Sequence, residues 1–279
     1  MGPHLASCQL NLKGEERALV AKKEEAQPKP DERPRETTVE FLASLAGVLV
    51  TGLFIITFVM QAFEIPSASM VKTLLVGDHV FVNRVAFSPP TNWVRPIVPY
   101  SDIHRGDIVV FLSADPRTPE LYIVKRIMGV PGDRIHLRDG VVYRNGEKLN
   151  ELYARHNPDS YEPYRDNFPA VPPGDQMNAT PEWKLTMQEH VENGEIVVPP
   201  GSYFGMGDNR DVSLDSRYWG FIPREHVIGR PMFIYWSFET PEDQYQQTGM
   251  VDRIKFIVFR VILHFFDQTH WSRTFKVVR

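Results

Sequence analysis

Cysteine is almost absent from this chain of 279 residues: one occurs, Cys8, and none follows it. An intramolecular disulfide is therefore impossible, and no CxxC pair exists to hold zinc or do redox chemistry. The 9 histidines include no HExxH spacing, so neither a metal site nor any other cofactor is expected. Positive charge is also short. With 31 Lys and Arg against 35 Asp and Glu, the formal net charge is −4, which gives no basic field for phosphates and argues against a nucleic-acid partner. There is no GxSxG elbow, so nothing local supports a Ser-His-Asp arrangement. The hydrophobic content of 42% is nonetheless enough to build a proper core.

Charge of either sign vanishes over one long stretch. From Phe41 to Phe63 no residue is ionisable, and the run is bracketed by Glu40 and Glu64. Twenty-three residues at about 1.5 Å each cross a hydrocarbon core of roughly 30 Å with some tilt, so a transmembrane helix is expected over 41–63. A cleaved signal peptide would be shorter and nearer the start; a buried core helix is the other reading. Residues 1–39 mix Lys, Glu, Pro and Arg with few apolar side chains, the composition of a flexible tail. Lys22, Lys23, Lys29, Arg33 and Arg35 precede the run, whereas Lys72 and Arg84 are the nearest cations after it. The positive-inside rule then puts the tail in the cytoplasm and the bulk of the chain outside.

After the span, short stretches rich in Val, Ile, Phe and Tyr alternate with turns. Strands are expected at 79–87, 107–112, 121–130, 134–137, 141–144, 195–198, 202–206 and 227–236. Gly-Asp recurs between them, and Asn145-Gly146 is a hairpin signal. The fold class is mainly antiparallel β over 64–240. Residues 150–193 turn polar and proline-rich and read as an inserted subdomain on the sheet, outside its core. The segment 250–279 is basic and amphipathic. Over 252–267, Arg253, Arg260, His264 and Asp267 share one helical arc, which suits an interfacial helix; a helix packed on the sheet remains open.

The stretch Glu64-Ile65-Pro66-Ser67-Ala68-Ser69-Met70-Val71-Lys72 places a serine just outside the span. A serine hydroxyl is a poor nucleophile until a neighbour takes its proton. Two lysines compete for that role. Lys72 makes Ser69-Met70-Val71-Lys72, an SxxK pattern, but the partner Lys-Thr-Gly and Ser-Asp-Asn motifs of penicillin-recognising enzymes are missing. Lys125, in Val124-Lys125-Arg126-Ile127, shares a strand face with Ile123 and Ile127. If buried there, its amine would lose proton affinity and could serve as a base. Alternation alone does not decide between that and an amine reaching water.

Four motifs occur in order after the span: Pro66-Ser67-Ala68-Ser69-Met70, Gly77-Asp78-His79-Val80-Phe81-Val82-Asn83-Arg84, Val124-Lys125-Arg126-Ile127-Met128-Gly129-Val130-Pro131-Gly132-Asp133, and Gly207-Asp208-Asn209-Arg210-Asp211-Val212-Ser213-Leu214-Asp215-Ser216-Arg217-Tyr218-Trp219-Gly220. Together they resemble the bacterial type I signal peptidase (leader peptidase) family of membrane-bound Ser/Lys endopeptidases. The resemblance covers the span and most of 64–236. It implies a sheet or barrel-like catalytic domain, Ser69 as nucleophile and Lys125 as general base. It also implies Ser67 and the Ser69 N–H as the oxyanion hole, Ser213 as the lysine-orienting hydroxyl, and Asp215 with Arg217 as a supporting ion pair; Asp208 and Arg210 would shape the same loop. The implied substrates are secretory preproteins, cut after small residues at −3 and −1, at the outer face of a bacterial cytoplasmic membrane. The lipid bilayer and the export translocon are the other implied partners. Two departures stand out: Lys72 where the family usually has proline, and Val212 where asparagine is common. The competing readings are an acyltransferase using Ser69 and Lys72, and a membrane-anchored binding protein without catalysis. A soluble self-cleaving repressor with Ser/Lys chemistry does not fit the span.

Overall fold

The computed structural model describes residues 37–87, 101–157, 159–174, 178–240 and 261–279. The expected tail up to residue 36, and 252–260 of the expected amphipathic helix, lie outside the described residues. The chain divides into two compact units, with the boundary in sequence between Gly52 and Leu53.

Helix α1 spans Thr38–Phe54. It opens on a reciprocal cap, with the Thr37 N–H donating to Glu40 Oε2 at 2.8 Å and the Glu40 N–H to Thr37 Oγ1 at 3.3 Å. None of its residues is buried, and a wider π turn, Ile55–Val59, continues it. Thr38–Val59 is, among the described residues, the one helix long and apolar enough to cross a membrane. The expected span ran to Phe63; here the helix stops earlier, because Met60–Glu64 is extended and forms strand β1. Met60–Glu64 pairs residue by residue with 79–83, so backbone bonding to a neighbouring strand replaces the helical bonds.

The remaining strands are β2 Asp78–Asn83, β3 Ile108–Leu112, β4 Tyr122–Gly129, β5 Arg134–Arg138, β6 Val141–Arg144, β7 Glu147–Lys148, β8 Val191–Glu192, β9 Glu195–Val197, β10 Ser202–Met206, β11 Ile222–Pro223 and β12 Val227–Ser237. They build a seven-stranded sheet in the order β1-β2-β12-β3-β4-β10-β11 and a five-stranded sheet in the order β7-β6-β5-β9-β8. Every ladder is antiparallel. The mainly β expectation therefore holds. The small sheet turns at Asn145-Gly146 and Asn193-Gly194, where both residues have positive φ, the backbone that suits a two-residue hairpin to the strand twist.

One large core cluster joins Phe111, Ile127 and Phe204 of the large sheet to Ile135, Val142 and Ile196 of the small one. Residues 150–193 do not behave as the outlying polar subdomain expected. Tyr164, Phe168, Trp183 and Met187 are buried in that same cluster. Two of the prolines that suggested a loop, Pro163 and Pro181, instead start short helices, α2 Pro163–Asp166 and α3 Pro181–Thr186. Each has proline in the first turn, where no N–H is needed, and a capping side chain before it, Glu162 or Thr180. A second cluster of Ile65, Met70, Leu74, Val80, Val82, Ile108, Val110 and Ile234 lies beneath the segment that carries Ser69.

Candidate active site

Ser69 rides on a single 3-10 turn, Ala68–Met70, entered from an extended Ser67 (φ −136°, ψ 154°). The loop behind it is closed at its base, where the Ile65 N–H donates to Asp78 O at 2.9 Å and the Gly77 N–H to Ile65 O at 3.0 Å. Met70 and Leu74 point inward and are fully buried. Each such side chain contributes about 1.5–3 kcal/mol when removed from water, which pins the turn to the core.

Lys125 comes from the middle of β4, where Lys125 to Gly129 are buried on both faces. Its side chain is 3% exposed, and its Nζ donates to Ser69 Oγ at 2.8 Å. Burial pushes the amine down from 10.5 to about 8; Asp215 and Asp208 resist that shift and Arg217 assists it. A neutral amine at that distance can accept the serine proton. Ser67 Oγ donates to Ser69 Oγ at 3.3 Å, so three side chains expected to act together meet at one oxygen.

The loop 207–215 lies directly behind. The Asn209 N–H donates to Ser69 O at 3.0 Å and its Nδ2 to Ala68 O at 3.1 Å, fixing the serine turn from below. Asp215 and Arg217 are both wholly buried and form a two-point pair, Nε to Oδ1 at 2.9 Å and Nη2 to Oδ2 at 2.8 Å. Burial acts to raise the Asp215 carboxyl, but the Arg217 guanidinium overcomes it and holds the group below the usual carboxylate range. Asp215 also accepts from the Gly207 N–H at 3.1 Å, so the pair closes both ends of the loop. Ser213 differs from expectation. It is buried, and among the described residues its Oγ has no hydrogen-bond partner, Lys125 included. Val212 is 63% exposed, so the valine that departs from the family pattern faces away from the buried groups.

Several site residues were not singled out from sequence. Arg126, beside Lys125 but on the other face of β4, grips Asp208 with Nε to Oδ1 and Nη2 to Oδ2, both 2.8 Å. Thr73 Oγ1 donates to the same carboxylate at 2.5 Å. Arg210 pairs with Glu151 of the 150–193 region at 2.5 Å. The signal available was strand alternation, which sets Arg126 opposite Lys125 but does not name its partner.

Lys72 was the competing candidate base and stands where the family usually has proline. Its backbone has φ +87°, a value closed to proline, and its Nζ donates to Ala154 O at 2.8 Å. The SxxK lysine is thus bonded to the 150–193 region. His156, Asp166 and Asp211 bring possible metal-ligand atoms within 4.8 Å of one another. Arg165 sits among them, however, at 2.8 Å from Asp166 and 3.2 Å from Asp211. His156 Nδ1 is 2.7 Å from Asp211 Oδ1, so the donor set is already used internally.

The family described as signal peptidase, peptidase S26, has a model that matches residues 38–236. The chain belongs to the signal peptidase S26 family. A signal peptidase I of Aquifex aeolicus is 31% identical over 251 residues, covering 79% of this chain and 93% of that protein. A signal peptidase I of Pseudomonas fluorescens is 32% identical over 219 residues, covering 73% and 74%. The crystal structure of a signal peptidase I from Enterococcus faecalis is 31% identical, covering 47% of this chain and 97% of that one. Its TM-score of 0.31 is too low for that superposition to bear on the fold. The signal peptidase match takes in Ser67, Ser69, Lys125, Ser213, Asp215 and Arg217 and ends before residues 237–279.

Proposed function

We propose that this membrane-anchored serine endopeptidase removes signal peptides from exported preproteins with Ser69 as nucleophile and Lys125 as general base. The observation that carries the reading is the 2.8 Å contact between a buried lysine amine and the Ser69 hydroxyl. Neutral Lys125 takes the Ser69 proton as Oγ attacks the scissile carbonyl carbon. The tetrahedral oxyanion is received by the Ser69 N–H and by Ser67, whose hydroxyl turns from Ser69 Oγ to the substrate oxygen. The lysine ammonium then protonates the departing amine of the mature chain, leaving an acyl-enzyme on Ser69. Water, deprotonated by the again neutral Lys125, releases the signal peptide. Ser213, buried with a free hydroxyl, accepts from the ammonium while it is charged. Asp215 and Arg217 hold the loop that carries it.

The family resemblance supports cleavage after small residues at −3 and −1 at a bacterial cytoplasmic membrane. The cation asymmetry around the apolar run favours a cytoplasmic N-terminus and an extracytoplasmic domain, with the bilayer and the translocon as partners. The deciding experiment is cleavage of a synthetic preprotein by the detergent-solubilised protein. Ser69→Ala and Lys125→Ala are expected to abolish turnover, whereas Lys72→Ala changes it by less than about tenfold. Turnover by Lys125→Ala, with loss in Lys72→Ala, would transfer the base role to Lys72.

A further inference from the structure

The family match ends at residue 236, yet the last residues of the chain return to the base of the serine loop. The His270 N–H donates to Ser237 O at 2.9 Å, Phe275 to Ile234 O at 2.7 Å and Val278 to Met232 O at 2.9 Å, so 270–278 runs along β12. Between these anchors a 3-10 turn, Trp271–Arg273, carries the Arg273 guanidinium. Its Nε donates to Asp78 Oδ1 at 3.0 Å. Its Nη2 donates to Asp78 Oδ2 and, at 3.1 Å, to the Thr73 carbonyl. Asp78 has no exposed surface and also accepts from the Leu75 N–H at 2.8 Å.

Thr73 is one short step from the nucleophile turn: its N–H donates to Met70 O at 3.0 Å, and that of Leu74 to the same oxygen at 2.8 Å. The loop is therefore held on two sides. Arg126, through Asp208, holds the Thr73 side chain, and Arg273 spans the Thr73 carbonyl and the Asp78 carboxylate. Removing the second guanidinium leaves a buried carboxylate without its charge partner and a carbonyl without this donor. Ser69 Oγ must meet an amine delivered by another strand, and a misplacement of about 1 Å can lower turnover on the order of 100-fold.

We infer that Arg273 is a positioning residue for the nucleophile, setting the Ser69 turn through Thr73 and Asp78 without touching a reacting atom. The inference rests on the Ser69/Lys125 reading above. Its test uses the full chain in detergent with a synthetic preprotein and compares wild type, Arg273→Gln, Arg273→Lys, Arg273→Gln with Asp78→Asn, and Ser69→Ala. Arg273→Gln is expected to lower kcat about 10- to 100-fold with KM within about twofold. Arg273→Lys, which keeps the charge but not the fork, recovers part of that loss. Adding Asp78→Asn to Arg273→Gln removes the unpaired charge and restores Tm, but kcat stays low because the Thr73 carbonyl still lacks its donor. A kcat for Arg273→Gln within about twofold of wild type overturns the inference, as does recovery of kcat together with Tm in the double variant. If Arg273→Gln does not fold, Arg273→Lys decides: a lowered kcat at unchanged KM and Tm supports the role, and an unchanged kcat overturns it. An inactive wild type or an active Ser69→Ala overturns the reading of the site itself, and this inference with it.

Discussion

Lys125 owes its place in the proposed reaction to a proton that burial makes easy to lose. With the amine at about 8, about one molecule in ten is neutral at pH 7 and about nine in ten at pH 9. The base form lies on the high-pH side, so kcat/KM should rise nearly tenfold per pH unit below 8 and level off above it. Initial rates on a synthetic preprotein between pH 6 and 10 give the profile, and a flat one would remove Lys125 as the titrating base. The pairing of Ser69 with Lys125 was legible in the sequence because the four motifs occur in order. Ser213 was named, but its unpartnered hydroxyl was not foreseen, because a one-dimensional pattern does not fix a rotamer. Arg126 was passed over because alternation sets it on the face opposite Lys125 and nothing local names Asp208 as its partner.

At the scale of elements, the tightest fit is between the serine turn and the 207–215 loop. A Cβ on Gly207 would come within 2.2 Å of Ser213 Oγ and 2.5 Å of Ser69 O. The second is backbone, which cannot rotate away, so Gly207→Ala must push the serine turn or its own loop outward. Overpacking of this kind costs about 1–3 kcal/mol. The expected outcome is a Tm lowered by several degrees and a kcat lowered about 100-fold, read by thermal melting and peptide cleavage. Most strands were legible from β-rich stretches set between Gly-Asp and Asn-Gly turns, with ends shifted by a few residues. β1 was not, since Met60 to Phe63 continues an uncharged run and nothing local marks where helical bonding gives way to pairing with β2.

Across the whole molecule, the chain reads as an anchor followed by a catalytic body, and the boundary between their roles falls at Val59 and Met60. A chain beginning at Met60 retains β1 and is expected to cleave a soluble peptide while losing retention in vesicles. One beginning at Ile65 lacks β1, leaves an edge of β2 unpaired, and is expected to lose most activity. Vesicle flotation and peptide cleavage on the two truncations check both outcomes. The part least legible in the sequence was long-range. Composition made 150–193 look peripheral, yet it contributes Tyr164, Phe168, Trp183 and Met187 to the shared core. No local pattern could announce that Arg273 meets Asp78.

The contacts Lys125–Ser69, Arg126–Asp208 and Arg273–Asp78 join positions 56, 82 and 195 residues apart. Each pairing can close only after its later partner has been made, so Asp208 and Arg273 join well after Ser69 and Lys125. A nascent polypeptide that has emerged only as far as β4 contains Ser69 and Lys125 but not yet the loop 207–215 or Arg273. The proposed dyad therefore gains its supporting contacts from segments made after the two residues that form it.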